Sequence, residues 1–287
     1  RWSFLLSLVK QIVMARDFRY NYAPECPTAC ILFHSIADII TAFARSAIEV
    51  YPTIMQNRET HEFDGFLTNL STTIKATTWL LMNRHINFSA FKLYNDNTVE
   101  TLIQSMCSVV AMTEACTAVY PKVLKRIYKF CECVSNQVIP YTLPLETVQM
   151  LVRYSIKAIQ DKDTSDIIEG GSCIETLITR AFEGLSQNSY CTGLLEALRP
   201  SIGNVLLVLF DNLFNEFELW VLHKLVYSLI IIFPDIYTQV QFSLANNIPN
   251  PNDRPKFLSY FQLVDLKGVK SLHDSRLNDF DDKLKEF

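Results

Sequence analysis

Glycine is scarce in this chain, 7 of 287 residues, and the scarcity excludes whole classes of chemistry. No glycine-rich loop is present to bring backbone N–H groups around a phosphate, so nucleotide and dinucleotide fingerprints are missing. No GxSxG elbow presents a serine nucleophile. The 5 histidines, His34, His61, His85, His223 and His273, are scattered and form no HExxH pair, so a zinc-hydrolase helix is missing as well. An excess of basic charge is also lacking. Lys and Arg total 26 against 30 Asp and Glu, for a net charge of -4, which argues against direct nucleic-acid binding.

Long uninterrupted apolar runs are lacking too. The greasiest stretch, Leu225 to Phe233, is preceded by His223 and Lys224 and ended by Pro234. It falls short of the roughly 20 residues a spanning helix needs, so it reads as a buried helix and no membrane insertion is expected. The 8 cysteines, Cys26, Cys30, Cys107, Cys116, Cys131, Cys133, Cys173 and Cys191, sit mostly inside apolar helical runs. Cys131 and Cys133, two apart on a helix, point in different directions. No second close pair is available to complete a zinc site. They are expected to be reduced core residues, with no metal and no cofactor. Asp161, Asp163 and Asp166 lack the spacing and glycine of a calcium loop and read as a solvated loop and helix cap. No catalytic residue is assigned, and no enzyme activity is expected.

What remains is helix. Apolar residues make up 49% and charged residues 20% of the chain, and leucine, isoleucine, valine and phenylalanine recur three and four apart, as one-face-buried helices require. The pattern predicts helices over about 2–20, 29–50, 62–83, 98–112, 119–138, 145–160, 165–187, 192–214, 216–233 and 235–245. A short turn of helix is expected in 87–96. Pro52 is expected to stop the second long helix. Gly170-Gly171 should break or bend the seventh, and Pro200 with Gly203 should bend or split the eighth. Residues 246–255 read as a turn-rich loop, followed by capping helices over about 256–271 and 273–286.

Helices of this length with short joins suit stacked helical hairpins of HEAT or armadillo type. The fold class expected is all-α, a HEAT/armadillo-like right-handed α-solenoid, with 1–287 as a single array and 246–287 as its terminal cap. The chain opens at Arg1 without an initiator Met and enters an apolar helix at once. It therefore reads as part of a longer superhelix.

One charge pattern stands out. Lys122, Lys125, Arg126 and Lys129 fall three, one and three apart, on one face of a helix that Pro121 starts. Such a stripe is either a solvated face or a contact for an acidic partner.

The segment Asn87-Phe88-Ser89-Ala90-Phe91-Lys92-Leu93-Tyr94-Asn95-Asp96 resembles a stretch late in the exportin seven proteins of the importin-beta superfamily. The pattern Ile31-Leu32-Phe33 followed by Ile39-Ile40-Thr41, the start Tyr120-Pro121-Lys122, and the region Asn250 to Phe280 are similar to that family in order and spacing. The resemblance implies the C-terminal region of a nuclear transport receptor. It further implies binding of protein cargo together with Ran-GTP, mainly through regions outside this chain. Contact with nuclear pore FG-repeat proteins and shuttling between nucleus and cytoplasm would follow.

Overall fold

In a computed structural model the described residues are 2–15, 27–56, 61–82, 86, 88–117, 120–161, 163–214, 220–263, 272 and 280. Among them there is no strand. The helices are α1 (Trp2–Met14), α2 (Pro27–Gln56), α3 (His61–Leu81), α4 (Phe88–Leu93), α5 (Thr98–Met112), α6 (Glu114–Thr117) and α7 (Pro121–Ser135). There follow α8 (Val138–Tyr141), α9 (Leu145–Ile159), α10 (Thr164–Glu183), α11 (Ser189–Phe214), α12 (Trp220–Ile232), α13 (Pro234–Asn246) and α14 (Arg254–Leu263). The expected ends 16–20 of the first helix, 264–271 of the penultimate one and the last helix, 273–286, lie outside the described residues, Leu272 and Phe280 apart.

The chain divides into two compact units, Arg1–Met150 and Leu151–Phe287. In the first, α1 packs on α3 and α3 on α7, while α2 packs on α5. In the second, α10 packs on α12 and α11 on α13. In both units long helices therefore pack on the second long helix after them, and α10 packs on its neighbour α11 as well. That is the packing of stacked helical hairpins, and the fold is all-α and HEAT-like. The core of the first unit includes Phe33, Ile40, Leu70, Ile74, Ile103 and Ile127; that of the second includes Ile178, Leu206, Phe210, Val226 and Leu229.

Three of the proline and glycine sites do not interrupt their helices. α2 runs through Pro52 to Gln56. Pro52 lies within the last two turns and is exposed, as is Ile48, whose stranded carbonyl can reach water. α11 runs unbroken through Pro200 and Gly203. Gly170-Gly171 does not break α10. A β-carbon at Gly170 would lie 2.6 Å from the Ser155 carbonyl oxygen and 2.8 Å from Ala158 Cβ, and one at Gly171 2.5 Å from Leu222 Cδ2. These glycines let neighbouring helices close in.

The predicted 119–138 helix ends at Ser135, and Val138–Tyr141 forms a separate turn of helix. Asp163 caps α10 as expected, its Oδ1 accepting from Ser165 N at 2.9 Å and from Ser165 Oγ at 2.7 Å. Asp166, expected in a solvated loop, is instead 1% exposed in the first turn of α10.

By length and composition alone, two helices, Thr28–Gln56 and Ser189–Asp211, reach what a bilayer crossing needs. Neither contains the 225–233 run, the greasiest stretch of the sequence. Both are two-faced. α2 buries Phe33, Ile36, Ile40 and Phe43 and exposes Asp38, Arg45 and Glu49; α11 buries Leu198, Ile202 and Leu209 and exposes Glu196, Asn204 and Asp211. Such charge placement suits one-sided packing in an array.

Candidate partner-binding surface

Phe88, Phe91, Lys92 and Asp96 of the most distinctive sequence block serve architecture. Phe88 and Phe91 of α4 pack edge-on and tilted against Phe33 of α2, with ring centroids 5.4 and 5.2 Å away. The Tyr141 hydroxyl donates to the Phe88 carbonyl at 2.8 Å, and Lys92 Nζ donates to the Pro140 carbonyl at 2.8 Å. Asp96 Oδ1 accepts from Thr98 N at 2.9 Å at the start of α5, and its Oδ2 lies 2.7 Å from His34 Nε2. Asn95 adopts the left-handed conformation, φ 56°, which its short polar side chain tolerates. The block thus ties α2, α4, α5 and α8 together. Asn87 lies outside the described residues.

Most of the described cysteines are core, and so is His223. Cys107, Cys116, Cys131, Cys133, Cys173 and Cys191 are buried and unbridged, Cys30 is half-buried and unbridged, and Cys26 lies outside the described residues. Burial pushes the Cys107 thiol far up, and pushes Cys133 up to about 12 with Glu132 adding to the effect. Such thiols are inert as nucleophiles. His223 is 7% exposed. Among the described residues no three His, Cys, Asp or Glu converge to hold a metal ion.

The basic stripe has a more specific setting. α7 begins with Pro121 in its first turn and buries Val123, Ile127, Phe130 and Val134, which turns Lys122, Lys125, Arg126 and Lys129 outward. α7 lies along α3. Arg126 Nη1 donates to Ser71 Oγ at 2.6 Å, and the Cys133 thiol approaches the Thr78 carbonyl at 3.8 Å. Between the two helices runs a groove of about 260 Å3 lined by Lys75, Thr78, Trp79, Met82, Lys125, Arg126 and Lys129. Lys129 also pairs with Glu132. Lys122, exposed one turn nearer the helix start, does not line the groove.

Three of the four stripe residues therefore converge with a set from α3. Lys75, Trp79 and Met82 are spaced four and three apart, one face of a helix. That spacing is visible in the sequence, but there Trp79 reads as part of a core stripe. The structure leaves Trp79 half-buried and Met82 44% exposed. The Thr78 hydroxyl is turned to its own helix, donating to the Ile74 carbonyl at 2.9 Å. The lining thus combines one aromatic and one thioether side chain with four cations.

Known proteins resemble the chain along most of its length. It is 19% identical over 281 residues, 91% of its length, to Exportin-7-B of Xenopus laevis, and equally to Exportin-7-A of that species. It is 19% identical over 271 residues, 86% of its length, to Ran-binding protein 17 of Homo sapiens. The chain is a distant relative of the exportin-7 proteins. The matches cover 25% and 24% of those relatives, so the chain spans about a quarter of the length of the curated proteins it matches. No protein-family profile matches it, and no solved structure does. A match over 91% of the chain runs through both units.

Proposed function

We propose that the chain is a segment of an exportin-type nuclear transport receptor. The full protein binds cargo together with the GTP form of Ran and carries it through the nuclear pore, passing between nucleus and cytoplasm by contact with FG-repeat proteins. This segment contributes scaffold and cargo surface and performs no catalysis. The observation that supports the reading is the similarity to exportin-7 and Ran-binding protein 17 over 91% and 86% of the chain, carried on stacked helices. Such arrays work by presenting extended surfaces. The Ran contacts are assigned mainly to parts of the receptor beyond this segment.

The test is recovery of the full-length protein on immobilised Ran loaded with GTP or with GDP. Retention on Ran-GTP alone, increased by cargo, is the expected result, because cargo and Ran that bind cooperatively raise each other's affinity by the same factor. Equal recovery on both forms, or none on either, would replace the transport reading with that of a general helical scaffold.

A further inference from the structure

We propose that the α3–α7 groove is a docking site for an acidic peptide segment of a protein partner, one that inserts a single aromatic or long aliphatic side chain between Trp79 and Met82. The proposal rests on reading this segment as a partner-binding surface, and it is independent of Ran.

Charge carries the argument. The chain as a whole is acidic, with a net charge of -4, yet Lys75, Lys125, Arg126 and Lys129 meet around one groove. Lys129 also pairs with Glu132. An acidic segment laid along the groove would meet all four cations at once, and its on-rate gains from the local field.

The apolar part of the lining sets the second requirement. Tryptophan and arginine dominate binding hot spots, and methionine re-packs around whatever side chain arrives. A groove of about 260 Å3 has room for one large side chain, so a bare run of carboxylates leaves Trp79 and Met82 uncovered. The cations sit on two rigid helices joined by the Arg126–Ser71 hydrogen bond. The site is therefore preformed and loses little on binding. A nucleic-acid strand fits less well, because the basic groups are gathered at one groove instead of following a backbone track.

The experiment uses the full-length protein and a fluorescein-labelled synthetic peptide with one phenylalanine flanked on both sides by aspartate and glutamate. Binding read by anisotropy should weaken about tenfold when the phenylalanine is replaced by serine, and by a similar factor between low and physiological salt. Lys75→Glu with Lys125→Glu should abolish it. Arg126 is left intact because it ties α7 to α3. Met82→Glu, at an exposed position, should also abolish binding while leaving the circular dichroism unchanged.

Absence of peptide binding, equal binding of the serine peptide, or unchanged binding in both folded variants would each overturn the proposal. So would tighter binding of a single-stranded RNA of equal charge. Ran-GTP recovery of the same preparations is measured in parallel. Peptide binding without Ran-GTP recovery sinks the transport reading and leaves the groove standing. Ran-GTP recovery without peptide binding does the reverse.

Discussion

Gly171 in α10 faces Leu222 in α12 so closely that a β-carbon there would come within 2.5 Å of Leu222 Cδ2. At the preceding residue the obstacle is backbone: a β-carbon on Gly170 would meet the Ser155 carbonyl oxygen at 2.6 Å. The two contacts differ in how easily they yield. A leucine methyl can rotate away, whereas a carbonyl inside α9 moves only if the helix moves.

Alanine substitutions should therefore separate by contact, against the uniform gain that helix propensity alone would give. A β-carbon at Gly65 would have nothing within 4 Å of it, so Gly65→Ala should stabilise by about 1 kcal/mol. Gly171→Ala should fall within about 1 kcal/mol of neutral, propensity offsetting the displaced leucine. Gly170→Ala should destabilise by roughly 2 kcal/mol. Urea midpoints of the three variants check the order, and a stabilising Gly170→Ala would refute the packing account.

Tyr141 gives a pH prediction. Its phenol donates to the Phe88 carbonyl, and burial, with Glu100 and Asp96 adding, pushes its pKa up to about 12 from 10.0. The folded state then holds the proton more tightly than the unfolded state. The stability this contributes is complete below the unfolded pKa of 10.0 and is lost as pH rises toward 12. Between about pH 10 and 12 the wild type should lose more stability than Tyr141→Phe, which has no proton to give up. Equal slopes in the two proteins would show that the phenol does not carry the effect.

Thr142 closes α8 in the left-handed conformation at φ 51°. A β-branched residue is strained there, and its side chain is exposed, so nothing else holds threonine in place. Thr142→Gly should raise stability by roughly 0.5 to 1 kcal/mol, the relief of strain exceeding the entropy glycine brings to the unfolded chain. A lower thermal midpoint for Thr142→Gly would contradict this.

What can be read from the chain directly follows from which forces are local. The 98–112 helix has the ends its sequence predicts, because its apolar spacing and flanking turns lie within a few residues of each other. The Asp163 cap is equally plain. Pro52 does not stop α2 and Gly170-Gly171 does not break α10, because the cost of a proline or glycine in a helix depends on what surrounds it. Those surroundings are solvent at the end of α2 and helix neighbours pressed against α10. The basic stripe is visible because its four members share one helix. Its partners Lys75, Trp79 and Met82 are not, because only the packing of α3 beside α7, across the intervening α4, α5 and α6, brings them to the same groove.

Residue type and short-range order are enough to establish an all-helical chain with apolar faces at helical spacing, scarce glycine, an acidic balance and one basic stripe. They do not establish which helices pack on one another, why two adjacent glycines lie inside α10, or that a tryptophan and a methionine stand among the stripe's cations. Packing in three dimensions settled those, because each depends on close approach between residues far apart in the chain, which local periodicity does not encode.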